Sequence, residues 1–354
     1  MKILARAPNW VGDAVMAIPA LEALRNAFRD DEIAILARPS VAELYRGQQW
    51  TDRVLEYDFR GRHGGWTGRE RLIGELRRER FGVAVLLQNA FEAAWLAWRA
   101  RIPERVGYAR DARSLLLTKA VRVPRHTQTP LHDARYFLQL IERAGWIEPA
   151  GDIPPIRLEV AKPAQEQAEE TLLRAGARRG AWRCAVAPGA SYGAAKCWLP
   201  ERFAALADRL ISECDADVIL FGTPAEKDIA ARIASGMTRR AISVVGQTSL
   251  SDLPALLSVC SAFIGNDSGA MHVAAAVGLP VIGIFGPTDP NQTSPVTRKF
   301  TLIRESVSCS PCFLRKCPID HRCMTRIEVD RVFAAAQQLW SAANNSHPWS
   351  NQNA

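Results

Sequence analysis

Residues 262–288, AFIGNDSGAMHVAAAVGLPVIGIFGPT, restrict what this chain can fold into more than any other stretch. An apolar run from Ala262 to Gly265 enters Asn-Asp-Ser-Gly. A small-residue helix from Ala270 to Val277 follows, then a Gly-Leu-Pro break and a second apolar run from Val281 to Phe285. That order reads strand, tight loop, helix, turn, buried strand, which is one βαβ unit. An open parallel sheet binds its ligands at the carboxyl ends of its strands. The first-turn N–H groups of the helix lack intrahelical partners and favour an anion. Asp267, Ser268 and Gly269 are therefore candidates for the floor of a phosphate site. On the alternative reading, Asp267 or Ser268 simply caps the helix, a contribution of about 1 kcal/mol.

The same alternation extends across the chain. Strands are expected at Ile3–Ala5, Ile33–Ala37, Val54–Tyr57 and Val83–Leu87 in the first half. In the second they are expected at Cys184–Ala187, Val218–Phe221, Ser243–Val245, Ala262–Gly265 and Val281–Phe285. Helical spacing is clearest over Ala14–Phe28, where Val15, Ile18, Leu21, Leu24 and Phe28 recur on one face. Further helices are expected at Asp133–Ala144, Glu201–Ile211, Glu226–Ala234, Leu253–Cys260 and Ala270–Val277. The glycine- and arginine-rich stretch Gly61–Gly68 reads as a loop, and the proline-rich GWIEPAGDIPPIRLEV as an interdomain linker. Short apolar strands between helices argue an α/β class with parallel sheets covered on both faces. The expected layout is two Rossmann-like, doubly wound domains, 1–160 and 161–327, facing a central cleft. A helix over 328–343 is free to pack back on the first domain, and a polar tail over 344–354 is expected to be disordered.

A chain of 354 residues is long enough for two full cores. Apolar content of 48% and charged content of 23% are those of a globular protein. No apolar run approaches the ~20 residues of a membrane span, and MKILARAPNW reads as a first strand rather than a signal peptide. The expected location is the cytoplasm, with the eight cysteines mostly reduced. The formal charge is +8, and arginine crowds the first half: Arg60, Arg62, Arg69, Arg71, Arg77, Arg78, Arg80, Arg99, Arg101, Arg105, Arg110 and Arg113. Such a face suits anionic lipid headgroups, a phosphorylated or carboxylated substrate, or only solvent. No nucleic-acid motif accompanies it, so no nucleic-acid partner is expected.

Four loops of the second half converge by the strand-end rule. Pro188–Trp198 offers flexible backbone, the Ser191 hydroxyl and the Lys196 ammonium, a point charge for a diphosphate. Glu226, just past a strand, either accepts from ribose hydroxyls or favours the start of its own helix. Thr248 lies in a small polar loop able to pass beneath an adenine. His272, one turn into the helix after Gly269, either donates to a phosphate or packs as a satisfied histidine. In the first half, Asn9, Trp10 and Asp13 precede a helix, where Asp13 stands as an N-cap or as a carboxylate able to take a proton from an attacking hydroxyl. Neither half has a GxGxxG after its first strand or a Walker lysine motif, which disfavours dinucleotide oxidoreductases and P-loop enzymes.

These residues carry a resemblance. GDAVMAIPALEALR, PGASYGAAKCWLPERF, FGTPAEKD and NDSGAMHVAAAVGLPVIGIFGPTDP are similar, in order, to the signatures of the ADP-heptose:lipopolysaccharide heptosyltransferases, glycosyltransferase family 9. The resemblance runs from Lys2 to the final helix. PNWVGD and PGASYGAAKCW are nearest the members that add the second heptose. It implies a GT-B fold and an inverting, metal-independent transferase with no cofactor, using ADP-heptose as co-substrate. The acceptor would be a Kdo-lipid A type precursor at the anionic inner leaflet, where the protein would sit peripherally. Asp13 would be the general base. Ser191, Lys196, Glu226, Thr248, Asp267, Ser268, Gly269 and His272 would hold the donor. Asn9, Trp10, Asn89, Arg110 and Arg113 would face the acceptor, whose anionic groups suit arginine forks. Three alternatives stay open: a first-heptose or other family 9 transferase, a nucleotide-sugar epimerase of the same architecture, and a non-catalytic basic module.

One motif stands apart. Cys309-x2-Cys312-x4-Cys317-x5-Cys323, with His321, offers five thiophilic-metal ligands in a short span, but the spacing fits no standard zinc module. The expectation is a loop of reduced thiols without a metal.

Overall fold

The structure, a computed structural model, describes residues 1–124 and 130–345, with side chains to 344. Almost all of the 344–354 tail lies outside the described residues. The chain divides into two compact units, Met1–Glu159 and the remainder from Val160.

In the first unit β1 (Lys2–Arg6), β2 (Glu32–Ala37), β3 (Arg53–Glu56), β4 (Val83–Leu86), β5 (Glu104–Tyr108) and β6 (Lys119–Val121) alternate with helices. These are α1 (Val11–Met16), α2 (Ile18–Ala27), α3 (Pro39–Tyr45), α4 (Gly65–Glu79), α5 (Phe91–Arg99) and α6 (Asp133–Arg143). The second unit carries β7 (Arg183–Ala187), β8 (Asp217–Leu220), β9 (Ile242–Ser243), β10 (Ala262–Asn266), β11 (Val281–Phe285) and β12 (Phe300–Arg304). Its helices are α7 (Lys162–Arg174), α8 (Pro200–Cys214), α9 (Lys227–Gly236), α10 (Leu253–Ser258), α11 (Gly269–Ala276), α12 (Pro290–Thr293), α13 (Arg322–Thr325) and α14 (Val329–Asn345).

Both sheets have six parallel strands, in the orders β3-β2-β1-β4-β5-β6 and β12-β11-β10-β7-β8-β9. Numbered within its own unit, the second order is that of the first. In each sheet the direction of winding reverses between the first strand and the fourth. The two crevices this creates, β1/β4 and β7/β10, are where a doubly wound sheet binds ligands.

Strands β1, β2, β4, β7, β10 and β11 are almost wholly buried, as short apolar runs covered on both faces should be. The expected Ala14–Phe28 helix is two helices, broken at Ala17, because Pro19 in the first turn of α2 has no N–H to continue α1. The Gly61–Gly68 loop is shorter than expected, since α4 already begins at Gly65. Gly68 is required there, as a Cβ would overlap the His63 backbone. The proline-rich linker is fixed at its end: the Gln48 side-chain amide donates to the Glu159 carbonyl (3.0 Å) and accepts from its N–H (3.1 Å). The closing helix α14 lies on α8 and buries Val332, Phe333 and Ala336 in the second unit's core. Its apolar face is thus used within its own unit, where the sequence had left it free to pack on the first. Among the described residues no helix is long and apolar enough to cross a membrane.

Candidate functional site

In the second unit, the loop after β7 crosses the switch point to meet the loop after β10. Lys196 closes a short 3-10 turn (Ala194–Lys196), and its Nζ lies 2.6 Å from Asp267 Oδ2. Both side chains are mostly buried, at 12% and 4% exposure. The ammonium also sits 4.9 Å from the centre of the Tyr192 ring, whose other neighbour is the Arg315 guanidinium at 5.3 Å. Asp267 Oδ2 accepts further from Thr288 Oγ1 (2.7 Å) and more loosely from Thr293 Oγ1 (3.4 Å). The Asp267 N–H is bound to the Ile284 carbonyl. This corrects the sequence reading: Asp267 contributes no amide to an anion, and its carboxylate serves as the counterion of Lys196.

The helix start itself stays open. Ser268 is the N-cap residue of α11, in extended conformation, yet no side chain caps the first turn, and Ser268 Oγ is buried without a hydrogen-bond partner. The capping reading is therefore not realised. Gly269 and the turn after it present amides toward the crevice, beside an orphaned hydroxyl and a buried ammonium. A buried unpartnered hydroxyl costs about 1–3 kcal/mol, so a ligand oxygen there would be favoured. His272 is buried one turn further along α11.

Asn266 holds this arrangement in place. Fully buried, it accepts from the Trp198 N–H (3.0 Å) and donates to the Pro188 carbonyl (2.7 Å), pinning both ends of the Lys196 loop. The middle of the loop rests on the cysteine-bearing segment. The Ala195 N–H donates to the Arg315 carbonyl (3.0 Å), Tyr192 OH to the Phe313 carbonyl (2.6 Å), and His321 Nε2 lies 2.7 Å from the Ala195 carbonyl. Gly193 is needed here, since a Cβ would overlap the Arg315 carbonyl. Replacing Asn266 by Ala is expected to lower stability by about 2 kcal/mol, read as a lower thermal midpoint. An unchanged midpoint would mean that the loop ends are held by other contacts.

Glu226 occupies the neighbouring strand end and realises its local role. Its Oε2 accepts from the Thr223 N–H (2.6 Å) and hydroxyl (2.9 Å), forming a capping box. The same carboxylate lies against Gly189 of the Lys196 loop, and a Cβ at Gly189 would overlap it. Ser191 is exposed at the tip of that loop and Thr248 is half-buried beyond Gly246. Neither is drawn into the Lys196–Asp267 network.

In the first unit, Asp13 is the third residue of α1, inside its first turn. The N-cap is Trp10, half exposed and making no cap bond, so the N-cap reading of Asp13 is corrected. A carboxylate in the first turn is favoured by the helix dipole. It faces Tyr45, whose hydroxyl donates to the Ala14 carbonyl (2.8 Å). Burial, with Asp13 close by, pushes that phenol above its ordinary range. Asn9 is oriented by buried Arg6, whose Nη2 donates to Asn9 Oδ1 (2.8 Å). Burial, with Arg38 nearby, lowers the Arg6 guanidinium to about 10.

Across the β1/β4 crevice, Asn89 donates to Tyr136 OH (3.0 Å) and accepts from Arg113 Nη2 (2.9 Å). Arg113 is fully buried. Its other nitrogens donate to the carbonyls of Tyr108 and Gln88, and burial lowers it to about 10. Arg113 is thus a staple of the Asn89 loop rather than a group facing a ligand. Arg105, bound to the Leu116, Ile102 and Pro103 carbonyls, is a second such staple. Arg110 is different: it is partly exposed, paired with Asp111 and 3.4 Å from Tyr136 OH.

Sequence reasoning missed several contributors. Arg38 follows β2 directly and stacks on Phe59 (4.1 Å), with Arg60 on the same ring (5.3 Å). The strand-end rule that selected Asn9 would have found it. Asn266, Thr288 and Thr293 carry no comparable signal, because their roles depend on approaches between distant segments. All eight cysteines are free, and among the described residues no three His, Cys, Asp or Glu side chains are placed to hold a metal ion.

The profile of glycosyltransferase family 9 (heptosyltransferase) matches residues 69–322. The chain is 31% identical over 312 residues to lipopolysaccharide heptosyltransferase 2 of Salmonella typhimurium, covering 86% of this chain and 88% of that protein. It is 30% identical over 316 residues to lipooligosaccharide heptosyltransferase 2 of Haemophilus influenzae, with the same coverage. The fold matches the structure of Escherichia coli ADP-heptose lps heptosyltransferase II with a TM-score of 0.82 at 24% identity, covering 97% of this chain and 100% of that one.

Proposed function

The chain belongs to glycosyltransferase family 9, and from that premise we propose that it transfers L-glycero-D-manno-heptose from ADP-heptose to the inner core of a lipopolysaccharide precursor, placing the second heptose on the first. The observation that carries this reading is the uncapped start of α11, with its orphaned Ser268 hydroxyl beside the buried Lys196 ammonium. That combination suits a diphosphate. Glu226, one strand end away, has an Oε1 with no hydrogen bond among the described residues and is available to a ribose. His272 supports the sugar-phosphate end.

In the proposed chemistry these residues take the following roles. Asp13 takes the proton of the acceptor hydroxyl as that oxygen attacks the anomeric carbon. The bond from the anomeric carbon to the diphosphate oxygen breaks on the opposite face, and its electron pair leaves with ADP. Attack opposite the leaving group inverts the anomeric configuration. Charge growing on the diphosphate is stabilised by the α11 amides and Lys196, preorganised donors in a partly dry crevice. These supply the positive charge the step needs, so the scheme calls for neither metal nor cofactor. Arg110 and Asn89 with Asn9 and Trp10 form the acceptor edge, and Arg38 and Arg60 add positive charge beside it. The acceptor is lipid-borne, and the arginine-rich first half favours an anionic leaflet, so the protein works in the cytoplasm at the inner membrane's surface.

Incubation with ADP-heptose and acceptors bearing no heptose or one heptose tests this directly by mass spectrometry. A product one heptose heavier is expected from the mono-heptosylated acceptor alone. Transfer to the heptose-free acceptor would make the protein the first enzyme of the pair, and transfer to neither would overturn the reading.

A further inference from the structure

Helix α5, FEAAWLAWR, is apolar almost all round. Ala93, Ala94, Leu96 and Ala97 face the core. Phe91, Trp95 and Trp98, at helical spacing of four and three, form a second stripe on the other side. Phe91 and Trp98 are each 49% exposed. Trp66, from the first turn of α4 and 64% exposed, lies 5.6 Å from the Trp95 ring, and the short turn packed against α5 presents Leu115 at 97% exposure. Among the described residues of this unit, four of the six most exposed large apolar side chains thus fall on one pair of helices and the adjoining turn. A helix apolar on both faces needs a cover on both.

The polar residues bordering the stripe indicate what the cover is. Glu92 is held by Arg69 (2.7 Å) and Tyr57 (2.9 Å), and Arg99 by Glu70 (2.9 Å) while stacking on Trp95 (5.4 Å). Between residues 60 and 101 stand nine arginines and no lysine, against four glutamates and no aspartate. Exposed tryptophans beside excess arginine match the headgroup region of an anionic bilayer, where indole rings and guanidinium groups both settle.

We propose that the α5 stripe, with Trp66 and Leu115, is a membrane-inserting face that seats this unit in an anionic lipid interface. The proposal rests on the reading of a lipid-borne acceptor and goes beyond general electrostatic attraction. Phe91 opens α5 directly after the Asn89 loop, so the inserted face is continuous with the acceptor edge.

Sedimentation of the full-length protein with vesicles of phosphatidylethanolamine and phosphatidylglycerol, against phosphatidylcholine, tests it. The wild type is expected to bind the anionic vesicles. Leu115→Glu and Trp98→Glu, both at exposed positions, are expected to weaken that binding roughly tenfold each, with unchanged thermal midpoints. Transfer to a delipidated, mono-heptosylated acceptor should be unaffected in both. Vesicle binding by the variants equal to wild type overturns insertion and leaves the transferase reading untouched. Failure of the wild type to bind anionic vesicles overturns it as well. Loss of a wild-type dimer in either variant would reassign the stripe to a second copy of the chain. Absence of transfer to the delipidated acceptor counts instead against the proposed activity.

Discussion

Asp13→Asn is expected to lower kcat by roughly 10²–10⁴-fold while the affinity for ADP-heptose, measured by calorimetry, stays within about twofold of wild type. The split follows from placement. Asp13 stands in the first turn of α1, in the first unit, whereas Lys196, Ser268 and Glu226, the groups proposed to hold the donor, all stand in the second. Asparagine keeps the shape of the side chain and forfeits its base and its charge, the latter favoured by the helix dipole in the first turn of α1. The acid limb of the pH–rate profile should vanish with the carboxylate. A parallel fall in donor affinity and turnover would show that Asp13 orders the site rather than moving a proton.

Lys196→Ala is expected to act twice. Removing the ammonium proposed to pair with the diphosphate should weaken ADP-heptose binding by about 10–100-fold. It also strands the Asp267 carboxylate, 4% exposed, with only the Thr288 and Thr293 hydroxyls. Breaking a buried pair from one side costs about 3 kcal/mol, which should appear as a lower thermal midpoint. The double variant Lys196→Ala/Asp267→Asn separates the two effects. It should recover most of the thermal midpoint, because no unpaired charge remains, and none of the donor affinity. Recovery of donor binding in the double variant would mean that Lys196 serves Asp267 alone.

The strand-loop-helix order of 262–288 was legible because a buried parallel strand, a glycine-bearing turn and a small-residue helix each have a local signature. The edge strands β6 and β12 were less so, and the interior β5 was not expected either. β6 and β12 carry exposed positions along their length, so neither period nor hydrophobicity sets them apart from a loop. Gly61–Gly68 shows a different failure, since glycine there signals close packing against His63 as much as a loop. In the site, the placement of polar residues at strand ends was readable, but their allegiance was not. Nothing local distinguishes Arg113, fully buried and bound to three neighbours, from Arg110, three residues away and partly open. Likewise, Asp267 follows the sequence pattern of an anion-binding loop and yet turns its carboxylate to Lys196, because Thr288 and Lys196 reach it from segments 21 and 71 residues distant.

On the proposed reading of the Lys196 loop as part of the donor site, the grip of Asn266 on its two ends would bear on which donors fit. A loop ordered by its own scaffold loses its conformational freedom when the chain folds and not when the nucleotide arrives, so more of each contact's energy appears as affinity. The same fixation deprives it of tolerance. With Pro188 and Trp198 both tied to one side chain, and Gly193 seated on Arg315, the loop has little room to widen around a bulkier or differently shaped donor. On the proposed reading, selectivity at the diphosphate end would rest on the one buried amide that ties the two ends of this loop.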